Sequence, residues 1–255
     1  MTWMIPLQSS PAVETRGEIL REMRVKIRQV LACLLTLVVF AATAPSPTAS
    51  AANLAVGMRI EIGDGQCSLG FFGFNAAHDR LAVTSGHCSD RPGQRVYAQG
   101  VEIGYVIARM QDGDGGAKIS RDDPRGFTLI ALRDRFSLEP FFAGVGGVQV
   151  GDWIAKYGQR TGRTAGRVVD VFDDPDRPGY GLISSDVVVI SGDSGSPWYT
   201  VACSGCGPTL VGITSSGNQH RLGGTAGASS AQPIWDVIQL IRSSKWGVQF
   251  KVWVQ

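Results

Sequence analysis

The sequence predicts an all-β protein that ends in one helix. After residue 52, short runs rich in Val, Ile, Phe and Tyr recur between Gly, Asp and Pro, and no long helical periodicity appears before the C-terminus. The 33 glycines among 255 residues suit a chain with many turns. Many short strands divided by turn signals are typical of a barrel or a sandwich. The predicted strands cover residues 58–62, 68–74, 80–84, 104–110, 127–132, 153–157, 166–172, 187–190 and 209–214.

The helix is predicted over residues 232–243. Ile234, Val237, Ile238 and Ile241 recur at steps of three and four residues, which places them on one face. We expect this face to pack on the strands of the C-terminal half, residues 141–255.

The N-terminus has the pattern of a secretory signal peptide. Basic residues between positions 24 and 28 precede about fifteen mostly apolar residues, fewer than the ~20 that a membrane-spanning helix needs. Ala49-Ser50-Ala51 offers the small–x–small pattern for cleavage, so residues 1–51 are predicted to be an extension plus signal peptide, with Met23 as an alternative start. An uncleaved membrane anchor would look much the same and stays open.

Composition restricts the class of partner. The chain is 44% hydrophobic and 18% charged, as in ordinary packed proteins, and its net charge is only +2. This charge predicts no strong attraction to nucleic acid or to a membrane surface. We therefore expect no nucleic-acid partner and no stable membrane insertion after signal cleavage. We also expect a secreted monomer with no cofactor and no metal.

Four cysteines lie outside the predicted signal peptide. They are Cys67, Cys88, Cys203 and Cys206, and they permit three pairings. The spacing favours Cys67–Cys88 and Cys203–Cys206. The Cys-x-x-Cys segment could instead be a redox pair or half of a zinc site, but no second pair has ligand spacing.

Two short motifs point to nucleophilic catalysis. Residues 84–88 read Thr-Ser-Gly-His-Cys, and residues 192–197 read Gly-Asp-Ser-Gly-Ser-Pro. A nucleophilic serine needs a base that takes its proton and donors that stabilise the negative charge of the intermediate. His87 offers the base, and the glycine-rich turn around Ser194 offers bare backbone N–H groups.

The order and spacing of these motifs resemble the secreted bacterial chymotrypsin-like serine proteases, especially the streptogrisin and α-lytic protease group. Further segments carry the resemblance: 67–71 (Cys-Ser-Leu-Gly-Phe), 157–162 (Tyr-Gly-Gln-Arg-Thr-Gly), 211–217 (Val-Gly-Ile-Thr-Ser-Ser-Gly) and 231–234 (Ala-Gln-Pro-Ile). The resemblance implies two six-stranded antiparallel β-barrels, at 52–140 and 141–255, with a cleft between them.

The resemblance also implies roles for individual residues. Ser194 would be the nucleophile, His87 the general base, and the N–H groups of Gly192 and Ser194 the oxyanion hole. Ser215, Ser216 and Gly217 would pair with an extended substrate and form one wall of its specificity pocket.

Two acidic positions need separate treatment. The carboxylate of Asp193 would be buried in this fold and therefore needs a cation, for which Lys156 is the predicted partner. The aspartate that orients the histidine in this family is missing, because Gly126 stands in its place. Asp122 or Asp123 could substitute for it.

The absence of an aspartate at position 126 leaves three functional states open. The chain could be a full protease with a substitute acid, a weak Ser–His hydrolase, or an inactive protein that keeps the cleft for binding. The leading hypothesis is a secreted serine endopeptidase. Its pocket should be small or apolar, because Val188 rather than an aspartate stands six residues before Ser194. The alternatives are a secreted peptide-binding pseudo-protease and, last, a membrane-tethered adhesion module.

Overall fold

Antiparallel strands dominate the computed structural model, which describes residues 53–113, 122–201, 205–216 and 229–255. The predicted signal peptide and its cleavage site lie outside the described residues. The strands of the N-terminal half are β1 (Asn53–Leu54), β2 (Arg59–Ile62), β3 (Gly65–Ser68), β4 (Phe71–Phe74), β5 (Arg80–Ser85), β6 (Arg95–Ala98), β7 (Val101–Met110), β8 (Phe127–Leu132) and β9 (Ser137–Leu138).

Eight strands form the N-terminal sheet, in the order β17-β4-β5-β8-β7-β6-β2-β3. Its outermost strand, β17 (Lys251–Val252), comes from the end of the chain and pairs with β4. The alternation of side chains along β2, exposed at Arg59 and buried at Ile60, is typical of strands with one face on a core. The predicted strand 68–74 is two strands, β3 and β4, with a break at residues 69 and 70.

The C-terminal half contains a closed barrel. Its strands are β10 (Gly144–Val145), β11 (Trp153–Gly158), β12 (Gly162–Phe172), β13 (Leu182–Ser185), β14 (Pro197–Thr200), β15 (Thr209–Ser216) and β16 (Ser229–Pro233). Strand β15 pairs with both β14 and β16, which closes β11–β16 into a ring of six strands, and β10 adds to β15 in parallel. The all-β prediction is confirmed. The division of the chain at residue 140 stays a prediction.

One predicted strand is absent from the described structure: residues 187–190 join no ladder. Val187 and Val189 are buried, so the segment alternates like a strand. Side-chain hydroxyls replace a neighbouring strand, because Ser229 Oγ donates to the Val187 carbonyl (2.7 Å) and Thr164 Oγ1 donates to the Val188 carbonyl (3.0 Å). Apolar alternation alone therefore gave the wrong assignment here.

Helix α1 spans Ile234–Ser243 and carries the predicted apolar face. Ile234, Val237, Ile238 and Ile241 are all buried. The helix begins two residues later than predicted, because residues 231–233 still pair with β15. In the described part of the chain no helix is long and apolar enough to cross a membrane.

The hydrophobic core is continuous between the two halves. A cluster that includes Phe71 and Leu129 of the N-terminal sheet extends to Ile213 of β15 and to the buried face of α1. A smaller cluster around Trp198 and Val211 fills the C-terminal barrel. The edges of the two sheets that carry the sequence motifs are thus fixed against each other by packing.

A disulfide joins Cys67 of β3 to Cys88, and this predicted pair is confirmed. By the loop-entropy model, a disulfide that spans 21 positions contributes about 3 kcal/mol to stability. The predicted pair Cys203–Cys206 stays a prediction, because Cys203 lies outside the described residues.

A buried ion pair lies under the glycine-rich turn. Lys156 Nζ is 3.1 Å from Asp193 Oδ2, and both side chains are fully buried. Thr161 Oγ1 donates to the same oxygen (2.7 Å), while the N–H of Arg160 donates to Oδ1 (2.9 Å). Burial alone would raise the pKa of Asp193, but the Thr161 and Arg160 hydrogen bonds and the ammonium group hold that pKa below its ordinary value.

We predict that Lys156→Met lowers the free energy of unfolding by about 3–5 kcal/mol at pH 7, because it leaves the Asp193 carboxylate buried without a cation. Urea denaturation measures the loss. Arg177→Met is the matched control, since Arg177 forms an exposed ion pair with Asp174 that should contribute less than about 1 kcal/mol.

The Lys156→Met deficit should shrink on acidification. A carboxyl group with a lowered folded-state pKa contributes stability above its unfolded pKa, about 4, and loses it as the pH falls through the folded value. Protonated Asp193 no longer needs a cation. Equal losses for both variants, or a deficit that grows in acid, would contradict this account of the pair.

Candidate active site

His87 lies in the 3₁₀ turn Gly86–Cys88, which follows β5. The disulfide to Cys67 anchors this turn on one side. The imidazole is partly exposed, with 17% of its side-chain surface accessible. Its Nδ1 forms a hydrogen bond with Oδ2 of Asp112.

Asp112 is the acidic partner that the sequence motifs did not reveal. It follows the end of β7 by two residues, and its side chain is only 3% exposed. Oδ2 binds His87, and Oδ1 accepts the backbone N–H of Gly126 at 2.7 Å. Both oxygens of this buried carboxylate therefore have partners, and His87 is held with Nδ1 engaged and Nε2 available for chemistry.

Glycines provide the space for this carboxylate. A Cβ on Gly86 would lie 2.6 Å from Asp112 Oδ1. A Cβ on Gly126 would lie 2.9 Å from the carbonyl carbon of Gln111 and still closer to the Met110 carbonyl. The end of β7 occupies the space in which a side chain at position 126 would lie.

Asp112, and neither Asp122 nor Asp123, is the residue whose carboxylate binds His87 in the structure. Strands β7 and β8 are antiparallel, with Met110 opposite Phe127, so the end of one lies beside the start of the other. The carboxylate on His87 therefore comes from the end of β7, directly beside the start of β8.

The sequence contained a signal for this arrangement. Predicted strands ended at residue 110 and began at residue 127, and Gln-Asp-Gly follows the first of them at 111–113. Pairing these two strands places Asp112 beside Gly126 without reference to any family motif. The family pattern points only to the start of the predicted strand 127–132, and Asp112 does not lie there.

Ser194 lies on the turn between residues 190 and 196, next to the segment that carries His87. The carbonyl oxygen of Thr214 accepts the N–H of Gly195 at 2.9 Å and the hydroxyl of Ser85 at 2.5 Å. A Cβ on Gly195 would lie 3.0 Å from the backbone nitrogen of Ser85. The residue after Ser194 thus packs against the residues just before His87.

The turn also leaves two backbone donors open. Gly192 and Gly195 adopt positive φ angles of 95° and 80°, which glycine permits at little cost. Asp193 N–H donates to Ile190 (3.0 Å) and Ser196 N–H donates to Asp193 (2.9 Å). By contrast, the N–H groups of Gly192 and Ser194 donate to no group in the described part of the chain, which leaves them available for an oxyanion.

The predicted substrate strand is partly described. Ser215 and Ser216 end β15, the first buried and the second half-buried. Gly217 lies outside the described residues. Position 188, six residues before Ser194, is a valine and therefore carries no acidic group. This side chain is 54% exposed.

Three residues of the kinds that bind metal ions also lie close together here: Cys67, His87 and Cys88. Their donor atoms lie within 4.8 Å of one another. However, the two sulfurs are bonded to each other as a disulfide, and a thiolate is the form of cysteine that binds a metal. The group is therefore a histidine beside a disulfide, which is a poor ligand set for a metal ion.

Comparisons with known proteins agree with this geometry. No family model matches the chain. Serine protease 2 of Streptomyces fradiae is 28% identical over 177 residues, which are 64% of this chain and 94% of that protein.

Solved structures share the fold. Protease A of Thermobifida fusca matches 80% of this chain and 100% of its own, with a TM-score of 0.55 and 20% identity. A Nocardiopsis protease matches 79% of this chain and 99% of its own, with a TM-score of 0.52 and 20% identity. The chain is therefore similar in sequence to a bacterial serine protease and shares its fold with solved bacterial proteases.

Proposed function

We propose that this protein is a secreted serine endopeptidase in which Ser194 is the nucleophile, His87 the general base and Asp112 the orienting acid. The observation that carries the proposal is the buried carboxylate of Asp112 on Nδ1 of His87. A carboxylate in this position fixes the imidazole tautomer and stabilises its cationic form.

The first half of the reaction forms an acyl-enzyme. His87 Nε2 takes the proton of Ser194 Oγ as this oxygen bonds to the carbonyl carbon of a peptide. The carbonyl electron pair moves to the oxygen, where the N–H groups of Gly192 and Ser194 donate to it. The C–N bond then breaks, and His87 gives its proton to the departing amine.

The second half releases the acid. Water loses a proton to His87 as it attacks the ester carbonyl, and the same two N–H groups stabilise the new oxyanion. The bond to Ser194 Oγ breaks, the serine regains its proton, and the product leaves as a carboxylic acid. No cofactor enters either step.

The substrate is a polypeptide in extended conformation. Ser215 and Ser216 lie at the end of β15, where an extended chain could add its backbone hydrogen bonds to those of the strand. An exposed valine at position 188 favours a small or apolar side chain before the scissile bond over arginine or lysine. We also propose that the protein is exported by its N-terminal signal peptide and acts as a monomer.

The alternative of a catalytically inactive binding protein depended on the missing aspartate at position 126. Asp112 removes the reason to prefer it. The two readings are separated by an alkyl fluorophosphonate, which labels a serine only where a base activates it. Labelling of the wild type, and none of Ser194→Ala or His87→Ala, supports the enzyme, whereas an unlabelled but correctly folded wild type supports the binding protein.

We predict that Asp112→Asn lowers kcat about 10⁴-fold and changes KM little, because the imidazole loses the partner that holds its tautomer. Steady-state kinetics on peptide esters measures both constants. Asp122→Asn and Asp123→Asn are the matched controls and should retain activity within about twofold. If either of these two variants loses the activity instead, Asp112 is not the orienting acid.

Restoring the family's aspartate by Gly126→Asp should damage the protein. The new side chain has no space beside the end of β7, so we predict a loss of at least about 2 kcal/mol in unfolding free energy together with lower activity. Gly147→Ala serves as the control, because no atom lies within 4 Å of a Cβ at that position. A Gly126→Asp variant as stable as Gly147→Ala would refute the steric account.

A further inference from the structure

One hydroxyl group of the N-terminal half lies beneath the turn that carries Ser194. Ser68, the last residue of β3, is fully buried next to Cys67. Its hydroxyl donates to the Gly192 carbonyl (3.1 Å) and accepts the N–H of Gln159 (3.0 Å). Its own N–H donates to the Ser194 carbonyl (2.8 Å). A single residue from one half therefore contacts both proposed oxyanion-hole residues, Gly192 through its side chain and Ser194 through its backbone.

The peptide between Gly192 and Asp193 depends on this hydroxyl for its orientation. Its N–H is held by the Ile190 carbonyl, and its carbonyl is held by Ser68. Gly192 has no side chain that packing could fix, and its φ of 95° lies in a region where glycine moves freely. Without the hydroxyl, one of the two hydrogen bonds on this peptide is lost and the adjacent Gly192 N–H is free to turn.

The backbone of Ser68 has its own support. Thr84 Oγ1 donates to the Ser68 carbonyl at 2.9 Å, and the N–H bond to Ser194 needs no side chain. Removal of the hydroxyl should therefore leave the turn near Ser194 in place and affect the Gly192 side alone.

We propose that Ser68 is a positioning residue that aims the Gly192 N–H into the oxyanion hole from the opposite half of the molecule. This inference rests on the proposed function. Donors stabilise a developing oxyanion only when they are already aimed at its position, and a displacement of about 1 Å can cost about 10²-fold in rate.

The test compares Ser68→Ala and Ser68→Cys with the wild type. Kinetics on a peptide ester gives kcat and KM, and inhibition by a peptide aldehyde reports the oxyanion hole, because its hemiacetal places an oxygen there. We expect Ser68→Ala to lower kcat by about 10- to 100-fold, to weaken binding of the aldehyde inhibitor by a similar factor and to leave KM within about twofold. Ser68→Cys has a weaker hydrogen-bonding group of similar size, so its kcat and aldehyde affinity should lie between those of the wild type and Ser68→Ala.

Two controls separate this role from general damage. Ser89→Ala removes a buried hydroxyl of the same half whose partner is Thr128, and it should leave kcat and aldehyde affinity within about twofold. The pH at which activity rises should be the same in wild type and Ser68→Ala, because the His87–Asp112 pair is untouched.

The outcomes distinguish the two proposals. A wild type that neither turns over nor reacts with fluorophosphonate overturns the proposed function and this inference with it. An active wild type with unchanged kcat and aldehyde affinity in Ser68→Ala overturns the role of Ser68 alone, as does an equal loss in Ser89→Ala or a shifted pH profile. Should Ser68→Ala fail to fold, the same comparisons on Ser68→Cys decide the question.

Discussion

The carbonyl oxygen of Thr214 joins the two halves of the molecule at the candidate active site. It accepts a hydrogen bond from the hydroxyl of Ser85, which precedes the histidine turn, and one from the N–H of Gly195, which follows Ser194. Both bonds are buried, so neither segment can shift without leaving a polar group unpaired. Thr214 also belongs to β15, whose end carries the proposed substrate-binding serines. The proposed base, the proposed nucleophile and the proposed substrate strand are therefore all positioned by the same carbonyl group.

Local sequence was sufficient for much of the fold. Most strands were predicted from runs of β-branched and aromatic residues between turn signals, and the helix from its apolar face, because these patterns depend on near neighbours. The failures share a cause. Residues 187–190 alternate like a strand, but their partners are side-chain hydroxyls from segments 24 and 42 residues away.

The site shows the same division between local and distant information. His87 and Ser194 stand in short motifs that can be read directly. Asp112 becomes visible only after β7 is paired with β8, since its relation to Gly126 is a property of register. The contact of Ser68 is harder still to predict from the sequence, because its partner Gly192 lies 124 residues away and no pattern around either residue indicates the contact.

The last strand of the chain has a consequence for how the molecule is built. Strand β17 completes the edge of the N-terminal sheet, and Phe250 beside it is fully buried, with its ring 6.3 Å from that of Phe71. During synthesis, β4 leaves the ribosome long before its partner strand β17 does. The first half therefore emerges with an unprotected edge and an unfilled core position until residues 250–252 have also been made. Under the proposed export, this exposure is shortest if the chain crosses the membrane unfolded and folds only after residues 250–252 have crossed as well.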